Sequence, residues 1–279
     1  MRLGIARALA ATLLVPTMAL AQAAPMLPPG QRIAASKIVL VGDSTVAVSS
    51  GWGGTFCSEH VTAFVACVNL ARGGRSSASY REEGSWDLAL SEMRTPGFVR
   101  TWVLIQFGHN DQPGKPGRST DLTTQFPINI ARYVRDARAA GAIPVLVTPL
   151  TRRTFRDGVL PNDLEPWAAA MRKVAAALNV PLIDLNAKSV AAVQAMGQAG
   201  ADRLAEVPPP PQGTLPAPAA VEANDRPSAQ PFVRPFAMRR RVFDRTHLGY
   251  AGARYFATMM AHELSATVPE MRPLLYDAM

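Results

Sequence analysis

The sequence predicts an α/β fold: a three-layer α/β/α sandwich built on a five-stranded parallel sheet. Two observations carry this. Short continuous apolar runs alternate with longer amphipathic stretches from residue 37 onward, the strand–helix–strand order that makes a parallel sheet. The short runs also lack polar alternation, so both faces of each strand are buried and helices must cover both sides. With 279 residues, 48% hydrophobic and 18% charged, the chain can bury such a core without disulfide staples.

The first strand is residues 37–41 (KIVLV), ending at Gly42-Asp43-Ser44-Thr45. Residues 56–65 are expected to form a helix and 66–70 the second strand. A third strand, 102–107 (WVLIQF), ends at Gly108-His109-Asn110-Asp111; the fourth is 143–147 (IPVLV) and the fifth 181–185 (PLIDL). Two connecting helices are marked by period. Phe126, Ile130, Tyr133, Val134 and Ala137 repeat at helical spacing, with Pro127 in the first turn and Gly141 as the stop. Leu164, Trp167, Met171, Val174 and Leu178 form a second apolar stripe, with Asp163 as the expected N-cap. The last helix spans about 251–264. No internal repeat is visible.

Two segments stand outside this pattern. Residues 1–24 read as an export signal: Arg2 and Arg7 precede an apolar run, and Ala19-Leu20-Ala21 and Ala21-Gln22-Ala23 both have the small-x-small pattern of a cleavage site. The expected location is therefore secreted or periplasmic. No later apolar run approaches about 20 residues, so no membrane partner is expected after cleavage. Between 207 and 235 lie nine of the 24 prolines without apolar period, which excludes a core helix or strand there. The piece beyond it is too short to fold alone, so the segment is an insert within one domain, 25–279.

The formal charge is +8, and apart from four lysines the cations are arginines. An exported chain without an aromatic-interleaved basic stripe makes a poor nucleic-acid binder, and no nucleic-acid partner is expected. An acidic extracellular polymer fits the charge, and so does an arginine-rich composition with no selected partner. Two cysteines exclude a four-cysteine zinc site. For Cys57 and Cys67 two readings stand: a disulfide joining the first crossover helix to the second strand, or two buried thiols. The four histidines, at 60, 109, 247 and 262, show no metal-ligand spacing; His60 reads as a helix-surface residue. No metal and no organic cofactor is expected. The sequence does not set the oligomeric state.

Four short motifs stand at strand ends or loops, where α/β proteins place their sites. Ser44 would sit at a strand-to-helix turn with its hydroxyl exposed, the geometry of a nucleophile; taken alone, an ordinary N-cap or turn serine is the favoured reading. Asp244-Arg245-Thr246-His247 precedes the last helix, and one such loop can supply both a general base and the carboxylate that sets its tautomer. The Ser44 and Gly74 N–H groups and the Asn110 side-chain amide would make two or three fixed donors for an oxyanion. No Gly-x-Ser-x-Gly elbow, phosphate loop or dinucleotide glycine pattern occurs.

In their order along the chain, Ser44, Gly74, Asn110 and then Asp244-x-x-His247, the motifs resemble the SGNH (GDSL-type) hydrolases, over 37–264. The resemblance implies a flavodoxin-like sandwich, Ser44 as nucleophile, His247 as general base, Asp244 as its orienting acid, and Ser44, Gly74 and Asn110 as the oxyanion hole. Gly74 rather than Gly73 matches the family glycine, because Arg75-Ser76 follows it. Gly51-Trp52-Gly53, Ser79-Tyr80-Arg81-Glu82, Gln106-Phe107-Gly108, Thr148-Pro149 and Gly252-Ala253 are similar to the rhamnogalacturonan acetylesterase branch. That branch implies removal of acetyl esters from pectin through an acetyl-serine intermediate. The proline-rich insert and the bulky Arg245 depart from its pattern. Arg75, Tyr80, Arg152 and Arg153 are the expected substrate-binding residues, and Arg81, Arg156, Arg241 and Arg245 would add to a basic rim suited to galacturonate. Two other functions fit the same scaffold: a lipase, thioesterase or arylesterase, and a catalytically retired carbohydrate-binding protein.

Overall fold

The computed structural model describes residues 34–211 and 242–276. The expected export signal and most of the 207–235 insert lie outside the described residues. Five strands form one sheet: β1 (Ser36–Gly42), β2 (Val65–Asn69), β3 (Thr101–Gln106), β4 (Ile143–Val147) and β5 (Leu182–Ile183). All pairings are parallel, in the order β2-β1-β3-β4-β5. That order is the flavodoxin-like one, with the switch point between β1 and β3. Leu40 of β1 pairs with Asn69 on one side and Leu104 on the other, which fixes the register at the sheet centre.

Strand alternation divides the apolar side chains between two cores. Ile38, Leu40, Trp102, Leu104, Val145 and Val147 point to one face, where α1 (Gly53–Glu59), α6 (Leu185–Asp202) and α7 (Tyr250–Thr267) cover them with Phe56, Leu185, Val193, Phe256 and Met260. Val39, Val41, Val103, Ile105 and Leu146 point to the other. There α3 (Ser85–Arg94), α4 (Gln125–Ala139) and α5 (Glu165–Leu178) supply Trp86, Phe126, Tyr133, Trp167 and Met171. The two helical stripes thus serve packing, and each fully buried large side chain contributes roughly 1.5–3 kcal/mol. Lys37 is buried at the start of β1, its ammonium 3.0 Å from the Glu92 carboxylate on α3. Among the described residues no helix is long and apolar enough to cross a membrane.

Several expected boundaries move. The helix placed at 56–65 is α1, over Gly53–Glu59; the β-branched stretch after it leaves the helix, with Val61 bridging Leu275 and β2 starting at Val65. Leu164, not Asp163, caps α5, because the Asp163 carboxylate is held by Arg152 instead. The fifth strand keeps only two residues, since Asp184 turns to accept a hydrogen bond from the Ala187 N–H and opens α6. Helix α6 is alanine-rich and has little apolar contrast, and it escapes a reading by period. Helix α2 (Ser79–Glu82) is too short for a period to show, whereas α3, absent from the expected elements, does carry one through Trp86, Ala89, Leu90 and Met93. His60 is buried rather than on the surface: it ends α1, with its ring 3.3 Å from the Thr258 hydroxyl.

Cys57 on α1 and Cys67 on β2 form a disulfide, with Cα atoms 5.4 Å apart. It ties the edge strand to the helix that packs on α7. Thiol titration of the denatured, unreduced protein should therefore find no free thiol. A Cys57→Ser, Cys67→Ser double variant should lose up to about 3 kcal/mol of unfolding free energy in the chain-entropy account, read from a urea midpoint. Two titratable thiols in the wild-type protein would refute the bridge.

Candidate active site

The site gathers at the carboxyl ends of the strands, starting below Ser44. Gly42 ends β1 where a Cβ would come within 2.7 Å of the Gln106 carbonyl oxygen, so only glycine lets β1 and β3 close there. The next residue, Asp43, is fully buried. Its Oδ1 accepts from the Thr45 N–H at 2.8 Å and the Thr45 hydroxyl at 2.7 Å. That hydroxyl accepts from Gln106 Nε2 at 2.7 Å, and Gln106 Oε1 accepts from Trp52 Nε1 at 3.1 Å. On the other side, His109 Nδ1 lies 3.4 Å from Asp43 Oδ2. Burial opposes ionisation of Asp43, but His109 and the two Thr45 bonds outweigh it and hold the carboxyl below its ordinary value. Burial keeps the His109 imidazole below its ordinary value despite Asp43. The turn that carries Ser44 therefore rests on a buried polar chain from Trp52 to His109.

Ser44 itself is 8% exposed. Its hydroxyl lies 2.9 Å from His247 Nε2, and His247 Nδ1 lies 2.8 Å from Asp244 Oδ2. Asp244 Oδ1 accepts from the Thr246 and His247 N–H groups at 2.8 and 2.7 Å. Burial pushes the Asp244 carboxyl up, but the bond to the His247 ring and those two backbone donors more than reverse this, so it sits well below the usual carboxylate range. An ionised Asp244 fixes the tautomer with hydrogen on Nδ1 and leaves the Nε2 lone pair facing the serine proton. The Ser50 hydroxyl donates to the Ser44 carbonyl at 2.9 Å, and the Leu248 N–H donates to the Ser50 carbonyl at 2.9 Å. These bonds lace the two halves of the site together.

The loops after β2 and β3 close the remaining side. A Cβ on Gly73 would touch Ser44 Cβ at 3.5 Å, and Gly74 has a φ of +79°, open to glycine at little cost. Asn110, mostly buried, donates one amide hydrogen to the Arg75 carbonyl at 3.1 Å, which leaves its second for an incoming oxygen. Asp111 binds this wall together, accepting from the Ser77 hydroxyl at 2.6 Å and the Thr120 hydroxyl at 3.0 Å. The structure thus joins Ser44, His247 and Asp244 directly, sets the Gly73-Gly74 turn beside Ser44, and anchors Asn110 to the same turn. Among the described residues no group of three or more His, Cys, Asp or Glu side chains is placed to hold a metal ion.

Two of the expected substrate-binding residues do not have that position. Tyr80 is fully buried, packs edge-on against Phe107, and donates its hydroxyl to the Leu70 carbonyl at 2.8 Å. Burial pushes that phenol well above its ordinary value. Arg153 is also fully buried, and its guanidinium binds main-chain carbonyls of the His247 loop. Arg75 and Arg152 keep partial exposure at the loops, but each is paired, Arg75 with Glu83 at 2.7 Å and Arg152 with Asp163. Arg81 pairs with Asp136 and Arg245 with Asp202, while Arg156 is exposed. Arg241 lies outside the described residues. Sequence reasoning also missed the Asp43–His109 contact, although each directly precedes a singled-out residue, Ser44 or Asn110.

Residues 40–214 match the model of the GDSL-like lipase/acylhydrolase family. The chain belongs to the GDSL-like lipase/acylhydrolase family. That match covers Ser44, Gly74 and Asn110, while Asp244 and His247 lie beyond it. Two relatives from Bacillus subtilis (strain 168) narrow the branch. The chain is 38% identical over 164 residues to the probable rhamnogalacturonan acetylesterase YesY, covering 56% of this chain and 73% of the relative. It is 38% identical over 176 residues to the rhamnogalacturonan acetylesterase RhgT, covering 60% and 72%. This GDSL-like protein is a carboxylic ester hydrolase of the rhamnogalacturonan acetylesterase-like branch. Its fold resembles that of the YXIM protein of Bacillus subtilis, with a TM-score of 0.61 at 22% identity, over 85% of this chain and 58% of that longer one.

The buried wall residue Asp111 gives a pH signature. Burial pushes its carboxyl up to about 6, against the hydrogen bonds from Ser77 and Thr120 that pull it down. A carboxyl raised in the folded state contributes stability that is complete below the unfolded value near ~3.9 and lost as pH rises through about 6. Relative to Asp111→Asn, the wild type should lose up to about 3 kcal/mol between pH 4 and pH 7, measured as paired urea midpoints. A difference that does not change with pH would contradict this reading of Asp111.

Proposed function

We propose that this protein is an exported O-acetylesterase that removes acetyl groups from rhamnogalacturonan, a pectic polysaccharide, through an acetyl-serine intermediate on Ser44. The observation that carries the chemistry is the His247 ring held between the Ser44 hydroxyl and the Asp244 carboxylate. As Ser44 Oγ attacks the acetyl carbonyl, His247 Nε2 takes its proton and Asp244 stabilises the imidazolium. Negative charge develops on the carbonyl oxygen, where the Ser44 and Gly74 N–H groups and the free amide hydrogen of Asn110 receive it. Collapse expels the sugar oxygen, which takes the proton back from His247. Water then repeats the sequence against the acetyl-serine and releases acetate.

The substrate reading is supported by the names of the 38%-identical relatives. Rim charge supports it less than the sequence suggests, because Arg75, Arg81, Arg152 and Arg245 each already hold a carboxylate. Export rests on the sequence of residues 1–24.

Ser44→Ala should remain folded and lose turnover on every ester. Asn110→Ala should lower kcat roughly 10²–10³-fold, the usual effect of removing one oxyanion donor. Acetate release should be fastest from acetylated rhamnogalacturonan, slower from acetylated xylan, and negligible from an octanoyl ester of p-nitrophenol. Retained activity in Ser44→Ala would end the nucleophile assignment. Preference for xylan or for the octanoyl ester would end the substrate assignment alone.

A further inference from the structure

Arg153 stands out because its burial and its partners do not match a binding role. It is a fully buried cation, and no carboxylate lies within ion-pair distance of it among the described residues. Burying an unpaired charge is costly unless polar groups replace its water. Here the Asp244 and Asp202 carboxylates favour the cation from beyond ion-pair distance. Main-chain carbonyls from one short loop take the two Nη groups, and Nε is left without a partner among the described residues. Nη2 donates to the His247 carbonyl at 2.8 Å and Nη1 to the Thr246 carbonyl at 3.2 Å. The Arg153 backbone N–H donates to the Arg245 carbonyl at 2.8 Å. One residue therefore binds three consecutive carbonyls, those of residues 245, 246 and 247. Two of these flank the His247 Cα, so they fix the direction in which the imidazole leaves the chain.

Arg153 is itself held from behind. Gln198, just past the break at Gly197 in α6, donates to the Arg153 carbonyl at 3.1 Å and to Asp202 at 2.6 Å, and Asp202 in turn accepts from Arg245 Nε and Nη2 at 2.9 and 3.1 Å. The loop is thus fastened to α6 and to the segment after β4, while α7 begins only at Tyr250. Desolvation lowers the Arg153 guanidinium to about 10, still charged at neutral pH. Lysine would not replace it. An ammonium is a point donor, whereas the planar guanidinium presents a fork that reaches two carbonyls at once.

We propose that Arg153 is a positioning residue that sets the His247 imidazole against Ser44 by clamping the carbonyls of residues 245–247. This rests on the reading of His247 as general base. A displacement of about 1 Å in a reacting group can cost 10²-fold in rate. Arg153→Met, with the cation removed and the volume roughly kept, should lower kcat on p-nitrophenyl acetate roughly 10–100-fold and change KM less than about twofold. Arg153→Lys should recover only part of the loss. The readout independent of turnover is the proton NMR signal of the His247 Nδ1–H bonded to Asp244. It should be present in wild type and in Ser44→Ala, and broadened or lost in Arg153→Met.

An unchanged kcat, or a raised KM with kcat unchanged, would overturn the proposal, the second result returning Arg153 to a substrate-binding role. So would an unchanged His247 signal in folded Arg153→Met. If Arg153→Met does not fold, Arg153→Lys decides: wild-type kcat with an intact signal would overturn the clamp. Full activity in Ser44→Ala would instead defeat the underlying esterase mechanism, and the NMR result would still report on the clamp.

Discussion

The contact between the His247 ring and the Ser44 hydroxyl joins groups 203 residues apart in sequence, and most of the loop architecture serves to hold its two ends. A single neutral hydrogen bond contributes only about 0.5–1.5 kcal/mol, too little to order two surface loops against their conformational entropy. Each end is therefore fastened separately. Ser44 follows a buried carboxylate that is bonded on one side through Thr45, Gln106 and Trp52 and faced on the other by His109. His247 follows a loop whose carboxylate folds back on its own N–H groups and whose carbonyls fall on Arg153. The Ser50 bridge links the two anchors.

The parallel sheet explains why these pieces meet. All five strands deliver their carboxyl ends to one edge, so the turns after β1, β2, β3 and β4 become neighbours without any of them being long. Polar side chains that would be costly in a core are satisfied there by one another. Asp111 receives Ser77 and Thr120, and Asn110 donates to Arg75. The wall of the site is thus a hydrogen-bonded extension of the sheet.

Much of this is legible in the sequence, for definite reasons. Strands such as 102–107 read as strands because six buried residues leave no polar alternation, and α4 and α5 read as helices because their stripes have strong contrast. Ser44, Asp244 and His247 are legible because their chemistry demands those residue types and because their order along the chain matches the SGNH pattern, although the chemistry itself fixes geometry and not order. What failed had weak local contrast or depended on tertiary partners. Helix α6 is nearly uniform in alanine and small residues. Residues 61–65 lie next to a helix in sequence, but pairing with Leu275 and with β1 claims them. Tyr80 and Arg153 look like rim residues beside functional motifs, and only the fold turns them inward. The arginines suggested a basic rim because sequence shows cations but not the carboxylates that pair with them.

The central claim is that His247 activates Ser44 for attack on an acyl carbon. The most direct measurement is covalent labelling by an organophosphorus ester followed by peptide mass spectrometry. One adduct per chain is predicted, on Ser44, with its formation slowed severely in His247→Ala and retained in an unmodified wild-type fold. An adduct on another serine, or labelling of Ser44 at the wild-type rate without His247, would contradict it.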